Sequence, residues 1–305
     1  MNLTVPNLKP ETVALWSQFF AQHRRVMLYT VDPGAHALGQ ALYPILVNAG
    51  RCEGWYAEGW SERRAPDCRP VSAMLAKLGP EISLLLGSQT NFERTHEILA
   101  AARARGAATV FVFDHWKNYA EHFLPDLLPD TIVVPDELGK RALLAAIGSE
   151  HAGRVVILPH LGVEAAVQRI LGFSHQHLPG VIALLLDPTE SQDGLGYDWR
   201  TVMGELPALA ERFAPNATFH IKSHPRQQAQ EVAALMRSLG MASERYQLVD
   251  MDTECLIAAA DEVWGMTTIA LVAAHRAGKV IRSIQTGRNE KGKAASNHYI
   301  EPYLI

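Results

Sequence analysis

Short apolar runs recur along the chain, and most are followed by a stretch with the spacing of an amphipathic helix. Runs at 25–31, 54–57, 82–86, 109–113, 131–134 and 155–158 predict strands, and 10–23, 37–48, 71–78, 91–105 and 137–147 predict helices. Asp32-Pro33-Gly34 stops the first strand, and Gly50 stands just beyond the helix that follows. Strand and helix in strict alternation predict βα units wound into a parallel sheet.

The rhythm pauses between Gly162 and Gly180. Residues 164–171 keep helical spacing, whereas 172–179 mix His, Ser, Pro and Gly as a linker does. It then restarts with strands at 181–186, 218–222, 246–249, 262–264 and 281–284, and helices at 199–213, 227–239, 253–260 and from Thr268 to the stop at Gly278. The prediction is an α/β fold of two Rossmann-like domains, 1–165 and 166–305, with a ligand cleft facing the carboxyl ends of both sheets.

At 305 residues the chain is long enough for two cores. Its formal net charge of −4 gives no general attraction to nucleic acid or anionic membrane, so any anion binding must be local. Cys52, Cys68 and Cys255 are scattered without metal-ligand spacing and read as reduced thiols. No signal-peptide pattern is evident, and no apolar run approaches the ~20 residues that span a bilayer. A cytoplasmic protein without nucleic-acid partners or integral membrane segments is expected.

Two stretches carry the chemistry. Lys222-Ser223-His224-Pro225-Arg226 ends an apolar strand with cations and an imidazole. Residues 252–279 place a turn with Gly265, Thr267 and Thr268 ahead of a helix, and such a turn favours an anion through its N–H groups and the helix dipole. Lys222, His224, Arg226, Thr267 and Thr268 are therefore candidate phosphate contacts; the two threonines read equally well as helix caps. Together the stretches suit a nucleotide diphosphate.

These residues resemble the GT-B glycosyltransferases, closest to bacterial surface-polysaccharide and glycerophosphotransferase branches. The likeness rests on Lys222, His224 and Pro225, then Asp252, Leu256, Ala260, Asp261, Thr267, Thr268, Ala273, Ala274, Gly278 and Lys279. It covers the C-terminal half; the N-terminal half shares only the rhythm of elements. The resemblance implies a metal-independent glycosyltransferase without a cofactor, in surface glycan or glycoconjugate synthesis. The C-terminal domain would hold a nucleotide-activated sugar or polyol phosphate donor, and the acceptor would be a glycan, a lipid-linked molecule or a small molecule. Ala273 or Ala274 stands where the family has a glutamate for a ribose or sugar hydroxyl. The alternatives are a nucleotide-sugar hydrolase or 2-epimerase on the same fold, or a non-catalytic binding protein.

Strand ends supply the remaining candidates. His36 or Asp32 is a candidate general base, although Asp32 reads as well as a simple turn residue. Asp114 and His115 offer an oriented acid–base pair, with Trp116 and Tyr119 beside them as stacking or core residues. Ser88, Thr189, Ser191 and Arg288 are candidate sugar or nucleotide contacts. Asp250-Met251-Asp252 has an Asp-x-Asp form but is better read as a helix start, and His175 and His177 lack further ligands nearby; no metal site is expected.

Overall fold

Two parallel sheets carry the fold, and the chain divides into two compact units, Met1–Ala165 and Ala166–Ile305. The structure is a computed structural model and describes residues 8–63, 68–88, 91–173, 177–188, 198–224, 227–285 and 297–305. In unit 1 the strands are β1 (Arg25–Thr30), β2 (Cys52–Ala57), β3 (Arg69–Pro70), β4 (Ile82–Gly87), β5 (Ala108–Val112), β6 (Thr131–Val134) and β7 (Val155–Ile157). Unit 2 has β8 (Val181–Leu185), β9 (Thr218–Lys222), β10 (Tyr246–Leu248), β11 (Glu262–Gly265) and β12 (Val280–Ser283). The helices are α1 (Pro10–Ala21), α2 (Pro33–Asn48), α3 (Gly59–Glu62), α4 (Val71–Lys77), α5 (Phe92–Ala104), α6 (Glu137–Ile147), α7 (Leu161–Gly172), α8 (Trp199–Phe213), α9 (Ala229–Ser238), α10 (Thr253–Ala259) and α11 (Ile269–Arg276).

The strand orders are 3-2-1-4-5-6-7 and 10-9-8-11-12, with every pairing parallel. Each sheet is thus started in its middle, wound to one edge and then continued to the other. That is the Rossmann arrangement, and it creates a switch point between β1 and β4 in unit 1 and between β8 and β11 in unit 2.

Continuous apolar strands demand cover on both faces, and unit 1 supplies it with alternating side chains. Met27, Tyr29, Leu84, Leu86, Phe111 and Phe113 pack with Met74, Ile98 and Leu99, while Leu28, Leu85, Val110, Val112 and Val133 pack with Trp16, Phe20, Leu38 and Leu42. In unit 2, α8 buries Trp199, Val202, Met203, Leu206 and Ala210 in a core with Phe219, Ile221 and Trp264.

One local expectation changes. The segment 32–36 is the start of α2 rather than a loop, because Asp32 accepts a bond from the Ala35 N–H (3.1 Å) and Pro33 has the fixed φ suited to a first turn. The helical spacing at 164–171 is met by α7, inside which the unit boundary falls. Lys279 caps α10, its ammonium donating to the carbonyls of Ala258 (2.8 Å) and Ala260 (2.7 Å). Beyond β12, Leu304 bridges in parallel to Ser283, and the Ile305 N–H donates to the Ser283 carbonyl (3.0 Å). His275 is held from both sides, with Nδ1 2.9 Å from the Tyr299 hydroxyl and Nε2 2.8 Å from that of Tyr303.

Candidate functional site

The loops after β1, β4 and β5 meet in unit 1 at Asp114. Its carboxylate accepts a bond from the Ser88 hydroxyl, and Ser88 Oγ accepts the Asp114 N–H in return (3.2 Å). Gly34, in the first turn of α2, lies against the same carboxylate: a Cβ there would stand 2.0 Å from Asp114 Oδ2. Burial pushes the Asp114 carboxyl up from its ordinary range, opposed by the Ser88 bond. The side chain is still 12 % exposed. A carboxyl raised by burial in this way suits proton transfer.

His115 lies beside it, with Nε2 3.8 Å from Asp114 Oδ1, beyond hydrogen-bond reach. Burial, then the charge of Lys117, drives His115 down to about 3, so it is a neutral imidazole. His122 is buried against Phe92, Phe111 and Phe113 and is likewise pushed down to about 3, chiefly by burial. Two residues not singled out in the sequence fix this loop. His160 Nδ1 accepts the Val163 N–H (3.1 Å), which leaves Nε2 to donate to the Asp114 carbonyl (2.7 Å). Its ring stacks on Trp116, whose indole donates to the Asp136 carboxylate that caps α6. Trp116 and Tyr119 are therefore buried pegs rather than stacking platforms.

His36 is displaced from its expected role. It lies inside α2 at 4 % exposure, its ring 5.3 Å from that of Trp55, and so is not presented to a substrate as a general base must be. Asp32 has the bland role considered for it, the cap of α2.

In unit 2 the carboxyl ends of β8, β9, β10 and β11 come together. Lys222, the last residue of β9, donates its ammonium to the Met251 carbonyl (2.6 Å). The His224 N–H donates to Gln227 Oε1 (2.8 Å), and Gln227 Nε2 donates to the Asp187 carbonyl (3.1 Å). The Asp187 carboxylate reaches across to the turn after β11 and accepts both the N–H (2.7 Å) and the hydroxyl (3.0 Å) of Thr267. Thr268 is the cap of α11, accepting the Ala270 N–H (3.3 Å). Lys222, His224, Thr267 and Thr268 thus share one end of one sheet. The Thr267 hydroxyl, expected on a phosphate, is committed to Asp187 instead.

Arg226, Thr189, Ser191 and Arg288 lie outside the described residues, as does His175. His177 is bonded to Asp261 (2.6 Å). Asp252 occupies the cap position of α10 without a side-chain bond to it. Among the described residues no group of three or more His, Cys, Asp or Glu is placed to hold a metal ion. A crevice of about 380 Å³ opens at the other end of β5, but its polar groups are structural: Arg103 donates to the Asp126 and Leu128 carbonyls, and Asp130 accepts from Thr109.

No protein-family model matches the sequence, and no curated protein matches it. Solved structures do resemble it in fold. UDP-GlcNAc 2-epimerase from Neisseria meningitidis, bound to UDP-GlcNAc, superposes with a TM-score of 0.61 at 11% identity, over 88% of this chain and 84% of that one. The Methanocaldococcus jannaschii UDP-GlcNAc 2-epimerase in complex with UDP-GlcNAc and UDP gives 0.58 at 10% identity, over 87% and 85%. A UDP-forming α,α-trehalose-phosphate synthase from Burkholderia vietnamiensis gives 0.51 at 11% identity, over 93% and 88%. Together with the two parallel sheets, these likenesses show that the chain has an α/β fold of the GT-B type, built from two Rossmann-like domains.

Proposed function

We propose that the protein is an enzyme acting on a nucleotide-activated sugar, with Asp114 as its proton-transfer group. The observation that carries this is the Asp114 carboxyl itself: nearly buried, raised by burial, bonded to Ser88 and fitted against Gly34 beside a switch point. The first reading is glycosyl transfer, with unit 1 on the acceptor side and unit 2 on the donor side. Asp114 would take the proton of an acceptor hydroxyl. Lys222, His224 and Arg226 would meet the charge growing on the leaving diphosphate. The acceptor would be a glycan, a lipid-linked molecule or a small molecule. No helix among the described residues is long and apolar enough to cross a membrane.

The second reading is 2-epimerisation, in which Asp114 would handle the proton on the sugar carbon. It is supported by the likeness to UDP-GlcNAc 2-epimerases. Incubation with UDP-GlcNAc in deuterated water separates the cases. UDP release that requires an acceptor marks a transferase, release without one marks a hydrolase, and deuterium at C2 marks an epimerase. Asp114→Asn should lower kcat by about 10²–10⁴-fold while binding persists. Turnover that survives this change removes Asp114 from the mechanism, and binding without turnover in the unaltered protein leaves a nucleotide-sugar-binding protein.

A further inference from the structure

The turn of unit 2 that is built like a phosphate seat already holds an anion. Asp187 leaves the carboxyl end of β8 at the switch point, is 8 % exposed, and places Oδ2 2.7 Å from the Thr267 N–H and 3.0 Å from its hydroxyl. Its carbonyl is tied through Gln227 to the His224 backbone, and the N–H of the preceding Leu186 donates to the Lys222 carbonyl (3.1 Å). The carboxylate is therefore fixed among the same loops that carry the candidate cations.

We infer that Asp187 is a specificity residue: a resident carboxylate that closes the 265–268 turn to phosphate. A diphosphate is steered from it toward Lys222, and the ligand group that faces Asp187 is a hydrogen-bond donor such as a hydroxyl. The inference rests on the reading of the protein as one that binds a nucleotide sugar. Two negative groups several ångströms apart near a protein surface repel enough to change affinity by about tenfold, so the carboxylate has enough leverage to set where a diphosphate sits. Loss of the Thr267 contact is the direct consequence, because its N–H and hydroxyl each carry a short bond to Asp187.

The test uses the full chain and isothermal titration with inorganic pyrophosphate, then UDP and UDP-GlcNAc, at fixed ionic strength. Asp187→Asn has the same shape and keeps an oxygen for Thr267, so the fold is preserved while the charge is lost. It should bind pyrophosphate about tenfold more tightly than the unaltered protein. Thr267→Val should leave the affinity of the unaltered protein within about twofold, since the hydroxyl is not on the phosphate. Equal, weaker or undetectable pyrophosphate binding by Asp187→Asn overturns the inference, as does a tenfold loss in Thr267→Val. Failure of the wider reading looks different: the pyrophosphate gain is seen, but no variant binds UDP or UDP-GlcNAc.

Discussion

Units 1 and 2 repeat one winding order, and each sets an aspartate beside its switch point, yet the two carboxylates are supported in opposite ways. Asp187 receives a backbone N–H and a hydroxyl from a single residue, Thr267. Asp114 receives the Ser88 hydroxyl, lies against the bare Cα of Gly34, and is raised by burial. The supply of donors decides what a buried carboxylate is good for. Two donors from one residue aimed at one oxygen make a clasp; a carboxyl that burial raises, against the pull of its Ser88 bond, makes an acid that can give and take a proton.

Acid should separate the units most strongly. His115 and His122 have folded-state pKa values pushed down to about 3, against 6.5 when exposed. The native state therefore binds fewer protons than the unfolded one below pH 6.5. Stability is complete above that pH and falls by about 1.4 kcal/mol per unit for each imidazole down to about pH 3. Urea midpoints at pH 7.5 and 5 should fall more steeply for unit 1 than for unit 2, followed by fluorescence or hydrogen exchange. His122→Phe should remove about half of that slope, and an unchanged slope would show that His122 takes a proton without cost.

Gly34→Ala should hit the poised carboxylate next. Its Cβ would collide with Asp114 Oδ2, so a loss of about 1–3 kcal/mol is expected. Turnover should drop with it, whereas full activity would mean that Asp114 tolerates relocation. Thr267→Val removes one of the two bonds to Asp187 and keeps the amide, at about 1.5 kcal/mol by thermal unfolding. No loss there would make the clasp geometric rather than energetic. The smallest effect belongs to Tyr56→Phe. The Tyr56 hydroxyl is buried with no hydrogen-bond partner among the described residues, so its removal should be neutral or stabilise by up to about 1 kcal/mol. A clear loss would reveal a partner.

The fold was legible because its strands are short continuous apolar runs between helical patterns. Asp114 was legible for a related reason, being the first polar residue after a buried strand. What local pattern does not carry is pairing across the sheet. Asp187 and Thr267 meet at a separation of 80 residues, and His160 reaches Asp114 across 46. Neither pair leaves a mark in its own neighbourhood of sequence. Short elements were missed for a different reason: β3 has two residues and α3 has four, too few for any periodicity. His36 was misplaced because Pro33 and Gly34 read as a turn, whereas proline also fits a first helical turn.

The segment along β12 gives His275 a protective duty. β12 is the outermost strand of its sheet, and Val280 in it is 53 % exposed. Such a rim is a template on which other chains can add strands and grow into aggregates. Leu304 and Ile305 occupy part of that template at Ser283, and Tyr299 and Tyr303 hold their segment down by gripping one imidazole between two phenols. The cover over that rim thus runs in part through a single side chain. His275→Leu would release both phenols from that grip and loosen the cover over the rim, read as faster hydrogen exchange at Ile305.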